Sequence, residues 1–193
     1  MIQFFNRANK SKDETGVDSQ YEILEYAYLS FDAGIKVRGG DKVEIKAMFT
    51  TQPSSGQYLN LLETNSSEWL VQSSSQYWFL AYNGDFIKFT NGAGVYDLFP
   101  KNQLRTLVID GCKMYIDGTN IINQSAADFI TTKNLRVCTT TYTLCRFYEL
   151  KYYYQSLLIR HLRPARNIAT NEYGVYDMVS KQFIKAINIH QEA

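Results

Sequence analysis

Hydrolysis of a glycosidic bond needs two carboxyl groups across that bond, one to give a proton and one to act as base or nucleophile. On an extended strand such a pair stands at i and i+2, so that both side chains leave by one face. None of the 19 Asp and Glu residues has that spacing. Glu22 and Glu25 are three apart, fall on opposite faces of a strand, and read as solvated edge charge. Carboxylates brought together from different strands remain the one route to this chemistry. Of the two histidines, His161 lies in the stretch LLIRHLRP and His190 near the end of the chain. Neither neighbours a candidate nucleophile, so no acid–base relay is legible. No G-x-S-x-G elbow, phosphate loop or H-E-x-x-H occurs. The expectation is a protein without catalytic residues.

Metal and cofactor chemistry find as little support. Asp117, Asn120 and Asn123 could turn oxygens towards a calcium ion, but Asp117-Gly118-Thr119-Asn120 is also what an ordinary tight turn looks like. The turn is the preferred reading, and no metal or cofactor is expected. Three cysteines, Cys112, Cys138 and Cys145, form no C-x-x-C and sit beside no histidine pair. They read as free thiols of a protein made in a reducing cytosol.

The aromatic residues are the more suggestive set. There are fifteen Tyr, eleven Phe and two Trp. Tyrosine offers flat, amphipathic contact area at low entropic cost, suited to sugars and to protein interfaces. Tyr152, Tyr153 and Tyr154 in one strand must send rings to both faces, so at least one faces outward. These three and Trp69 are the candidate ligand-binding residues. For Tyr77 and Trp78 a place in a wide core is the preferred reading. Arg160, Arg163 and Arg166, with Lys151, read as a solvated basic face, and docking of an acidic partner there is the alternative.

To position such residues the chain has 193 residues, 45% of them hydrophobic and 20% charged. One domain of about 200 residues suits an all-β fold and buries a core without staples. Twenty basic residues against nineteen acidic leave a formal charge of +1, which lacks the footprint of a nucleic-acid binder. No run approaches the ~18 apolar residues of a membrane-spanning helix, and Met1–Phe5 is too short for the apolar core of a signal peptide.

From Tyr21 the pattern is strand after strand. In Asp41–Thr50, Val43, Ile45, Ala47 and Phe49 alternate with Lys42, Glu44, Lys46 and Met48. Gln76–Tyr82 and Asp85–Thr90 flank Asn83-Gly84, a hairpin turn of type I′. Leu104–Asp110 and Lys113–Asp117 are joined and followed by Asp-Gly turns, a meander. Further strands are expected at Tyr21–Leu29, Tyr58–Leu62, Leu135–Cys138, Tyr142–Tyr154, Gly174–Asp177 and Gln182–Ala186. Ser125–Ile130 is the one window with some helical character. Residues 1–20 are mostly polar and aperiodic, an arm or a frayed terminus, with Phe4, Phe5 and Arg7 as candidate anchors. The fold class expected for 21–193 is an all-β jelly-roll sandwich of two antiparallel sheets.

Three segments carry a resemblance. Leu24-Glu25-Tyr26 with Phe31-Asp32-Ala33-Gly34-Ile35-Lys36 opens the β-run, with a short loop between Tyr26 and Phe31. Asp110-Gly111 and Tyr115-Ile116-Asp117-Gly118 stand in the middle. Arg160, Pro164 and Arg166 are followed by Gly174-Val175-Tyr176-Asp177-Met178-Val179 and Phe183 at the close. In this order they resemble the laminin-G-like, concanavalin A-like jelly rolls common in bacteriophages and gut bacteria. The resemblance implies two antiparallel sheets that bind glycans or partners, and no chemistry. The expected function is a non-enzymatic virion structural protein, a capsid decoration or head or tail fibre component. Such a protein is made in the host cytoplasm without a signal peptide. Its arm would meet other virion proteins, its jelly roll a host-surface glycan, and nucleic acid and membrane are not expected partners. The alternative is a bacterial glycan-binding module or a diverged glycanase of the same fold.

Overall fold

The computed structural model describes residues 17–51, 58–65, 69–74, 78–82, 85–89, 100–125, 128–139 and 145–189. No helix occurs among them, and Asp128–Ile130, the described part closing the candidate helical window, is irregular apart from one bridge at Ile130. The chain forms two antiparallel sheets. The nine-stranded sheet contains β1 (Tyr21–Ile23), β3 (Lys42–Phe49), β8 (Leu104–Asp110), β9 (Lys113–Ile116), β10 (Thr119–Asn123), β12 (Cys145–Tyr154), β13 (Leu157–Asn167), β14 (Tyr173–Asp177) and β15 (Gln182–Lys185). The seven-stranded sheet contains β2 (Leu29–Asp32), β4 (Tyr58–Asn65), β5 (Trp69–Ser74), β6 (Trp78–Tyr82), β7 (Asp85–Phe89), β11 (Arg136–Val137) and β16 (Asn188–Ile189). Their orders are β10-β9-β8-β3-β12-β13-β14-β15, with β1 beside β13, and β16-β2-β11-β4-β5-β6-β7. The chain passes from one sheet to the other at β1–β2, β2–β3, β3–β4, β7–β8, β10–β11, β11–β12 and β15–β16. This repeated crossing makes the two sheets one jelly-roll sandwich.

Period-two patterning decides what lies between the sheets. Val43, Ile45, Ala47 and Phe49 of β3 are buried while Lys42, Glu44, Lys46 and Met48 face out. Leu107, Ile109, Phe147, Leu150, Leu162 and Val175 continue that inner face. Leu29, Phe31, Leu62 and Val137 meet them from the opposite sheet, with the Phe31 and Phe147 rings edge to face at 5.0 Å. The expected meander is present. Gly111 (φ 59°) opens the two-residue turn between β8 and β9, and Asp117 (φ 48°) with Gly118 (φ 81°) makes the next a type I′ turn. Asn83-Gly84 lies outside the described residues, but Tyr82 pairs with Asp85 across it.

β13 was not foreseen. It is tied to β12 by a turn whose φ is positive at Gln155 (48°) and Ser156 (66°), residues that seldom mark such a turn. It also carries Pro164 inside the strand. The residue falls where β13 leaves β12, last paired at Leu162, and takes up β1, first paired at Ala165. The missing N–H costs nothing in that gap, and the Pro164 carbonyl accepts from Leu24 at 2.8 Å. Val17–Gln20, read as part of the arm, form a turn that leads directly into β1, with Val17 packed, like Tyr21, Met178 and Phe183, against the small cluster of Ile23, Ala165 and Tyr176.

A charged and aromatic strip as candidate functional site

The register of β3, β12 and β13 builds a strip on the outer face of the nine-stranded sheet. Across the β3–β12 pair, Lys42 stands opposite Tyr153, Glu44 opposite Lys151 and Lys46 opposite Glu149. His161 of β13 is opposite Lys151 on the other side. Opposite charges placed directly across a ladder attract at short range. Accordingly Lys46 Nζ lies 2.6 Å from Glu149 Oε1, and Lys151 Nζ lies 3.7 Å from Glu44 and 3.5 Å from Glu149. His161 Nε2 is 2.9 Å from Glu149 Oε2. Lys42 Nζ sits 5.0 Å from the centre of the Tyr153 ring.

A β-bulge extends the strip. Phe147 pairs with Ala47 and Glu149 with Lys46, leaving Tyr148 as the extra residue of β12. The bulge turns Tyr148 outward beside Glu149, as bulges re-aim a side chain. Its ring meets that of Tyr26 at 5.5 Å, tilted by 43°. Arg146 stacks its guanidinium 4.7 Å over Tyr26 and donates to the Tyr28 hydroxyl at 2.5 Å. Tyr26 and Tyr148 are half-buried.

The charges of the strip are set. The His161 hydrogen bond, with Lys46 and Lys151, holds the Glu149 carboxyl far below the usual carboxylate range against the effect of burial. Burial pushes the Tyr148 phenol up from its ordinary value. Glu44 and Glu149 thus do converge from different strands, but one ammonium, that of Lys151, bridges them. A glycanase acid must carry a proton near neutrality, and Glu149 is kept ionised.

The residues singled out from the sequence do not come together. Tyr153 belongs to the strip. Tyr152 does not face outward, since it is 1% exposed in the core. Its hydroxyl contacts the buried Asp41 carboxylate and donates to the Lys36 carbonyl at 3.1 Å. That removes it from any surface site, because alternation sends every second ring of the triplet inward. Tyr154 packs against the core at the strand end, with Arg38 stacked 4.4 Å from its ring centre. Trp69 opens β5 in the other sheet, paired with Asn65 and Tyr82. Phe4, Phe5 and Arg7 lie outside the described residues. In the basic cluster, Arg160 binds Asp177 at 3.1 Å and Arg166 binds Glu22 at 2.5 Å. Asp117 spends its carboxylate on Arg105 at 2.6 Å and the Thr106 N–H at 2.9 Å, as a turn residue. Tyr26, Arg146, Tyr148 and Glu149 were missed. Strict alternation back from the inward Tyr152 puts Arg146 and Tyr148 in the core and Phe147 outside, and only the bulge reverses this.

No protein-family model matches the chain, and no curated protein is similar to it. Among solved structures it is similar to the binding domain of Paraclostridial Mosquitocidal Protein 1, at 10% identity and a TM-score of 0.46 over 69% of this chain and 42% of that one. It is similar to an alginate lyase of polysaccharide lyase family 7, at 9% identity and a TM-score of 0.43 over 79% and 92%. A third is a botulinum neurotoxin type C whose cell entry depends on two ganglioside molecules, at 13% identity and a TM-score of 0.41 over 68% and 35%. The chain spans less than half the length of either toxin chain.

Proposed function

We propose that the protein is a non-enzymatic saccharide-binding β-sandwich whose binding surface is the outer strip of the nine-stranded sheet. One observation carries this reading: the bulge that sets Tyr148 beside Tyr26 and Arg146 at one end of a row of fixed charges that runs to Tyr153. The C–H face of a pyranose stacks on an aromatic ring, while its hydroxyls need donors and acceptors held in place. From Tyr148 to Tyr153 the strand covers about 16 Å, room for a short oligosaccharide. Glu149, kept ionised, serves as an acceptor and not as an acid. No cofactor is required.

The resemblance of the chain's three segments to phage jelly rolls supports a place on a bacteriophage virion. There the N-terminal arm, with Phe4, Phe5 and Arg7, docks on capsid or tail proteins and the strip faces a host-surface glycan. Binding of purified protein to a glycan array, with Tyr148→Ala and Tyr153→Ala in parallel, tests the strip. Saturable binding weakened about tenfold or more by Tyr148→Ala is expected, a loss of the size of one stacking contact. Equal binding by both variants and the parent would overturn it. Release of shortened glycan during the incubation would make the protein a glycanase. Failure of the protein to add to particles lacking it would remove the virion role and leave a bacterial binding module.

A further inference from the structure

The seven-stranded sheet carries a second row of charge on its own outer face. Arg136 of β11 stands opposite Asp32 of β2 on one side and opposite Glu63 of β4 on the other. Both carboxylates are already engaged. Glu63 accepts from Arg136 and from the Asn60 amide, each at 2.5 Å. Asp32 accepts the Gly34 N–H at 2.7 Å and the Asn134 amide at 3.4 Å. Asp32 and Arg136 line an open cleft of about 550 Å³ together with Thr64, Thr132, Lys133 and Asn134.

What the cleft still has to offer is positive. Lys133 is exposed, and its ammonium enters no ion pair among the described residues. Arg136 spends one nitrogen on Glu63 and leaves its side chain 47% exposed. A guanidinium has five N–H donors in a fixed fork, most of them unused here. The two carboxylates next to these cations weaken the hold on a small free anion. They favour a ligand that joins one acidic group to several hydroxyls.

We propose that this cleft is a second saccharide site, selective for an anionic sugar. The carboxylate or sulfate of that sugar lies between Lys133 and Arg136, and its hydroxyls meet Asp32 and Asn134. The inference takes from the preceding reading only that the ligand is a saccharide, and it uses no residue of the strip. Two sites on opposite sheets also give one molecule the means to bridge two glycan chains.

The test is calorimetric titration of the whole chain with three probes of equal length: a glucuronate-containing oligosaccharide, a sulfated one and a neutral glucan. Lys133→Met is the main variant, because Lys133 is an exposed loop residue with no ion pair among the described residues. Arg136→Gln is the second, and Tyr148→Ala reports on the strip. The expected result is binding of an acidic probe with a component that weakens with added salt, falls about tenfold in Lys133→Met and in Arg136→Gln, and persists when Tyr148→Ala removes the strip's share. Whichever acidic probe binds names the anionic group. Acidic-probe binding that survives both cleft variants, or that Tyr148→Ala alone removes, overturns the second site. So does binding of the neutral glucan only, an outcome that leaves the strip standing. If no probe binds, both sites fall, and if only the acidic probes bind and the cleft variants alone remove that binding, the strip alone does.

Discussion

At Glu149 the carboxylate is approached from three sides, by His161 at 2.9 Å, Lys46 at 2.6 Å and Lys151 at 3.5 Å. Its pKa in the folded chain lies below the ordinary value of about 4.3. The stabilisation is therefore complete above that ordinary value and is lost as the pH falls through the folded-state value. Glu149→Gln should lower the denaturant midpoint near pH 7, by an amount equivalent to about 1 kcal/mol for partly exposed ion pairs. Near pH 3 the gap between variant and parent should narrow. A gap of the same size at both pH values would assign Glu149 to packing. On the β3 side of this row, Lys42, Glu44 and Lys46 were visible in the sequence as a polar stripe, but not which charge would meet which. That pairing follows from register, and register is a property of two strands.

Hairpins and bulges decide the rest at the scale of elements. Gly174 pairs with Lys185 between β14 and β15, and a Cβ there would run into the Ile184 carbonyl oxygen and the Phe183 ring. Backbone cannot yield as a flexible side chain does, so Gly174→Ala should cost about 3 kcal/mol or more. Thermal melting checks this, and a shift of only a degree or two would show that the hairpin relaxes. Asp177, at the end of β14, is wholly buried and accepts the His161 and Val179 N–H groups and the Ser180 hydroxyl. Burial pushes its carboxyl up, but these hydrogen bonds and Arg160 bring it below the ordinary range. The segment Gly174–Asp177 with Phe183 thus has physical reasons for its residues: close approach at the glycine, a turn held by the aspartate, and stacked rings. The β12–β13 turn was illegible because Gln155 and Ser156 are held in left-handed conformations by the strands they join.

For the whole molecule, the N-terminal segment closes a second small core on the outside of the sandwich. Tyr21 stacks on Phe183 at 5.0 Å and leans on Tyr176 at 5.2 Å, with Val17, Ile23 and Met178 around them. This patch borders the strip at His161, whose carbonyl accepts the Met178 N–H at 2.8 Å. Tyr21→Ala should loosen the segment without unfolding the sandwich, since local openings need not reach the global free energy. Limited proteolysis should cut the variant faster near residues 17–23, at a nearly unchanged unfolding midpoint. A midpoint that falls as steeply as the cleavage rate rises would make the segment part of the main core.

The sequence by itself determined the fold class and most strands, because period-two burial and the Asp-Gly turns are local properties that survive without knowing any partner. Val43 to Phe49 and the β8–β9–β10 meander were readable for that reason. It also separated the charged face of β3 from the buried one. Only the tertiary structure decided where function could sit. One extra residue at Tyr148 reversed the parity of the early part of β12, exchanging the faces that Tyr148 and Phe147 would otherwise take. Strands far apart in the chain brought His161 to Glu149, and Arg136 between Asp32 and Glu63. Such meetings depend on sheet order and register, which no single stretch of sequence contains.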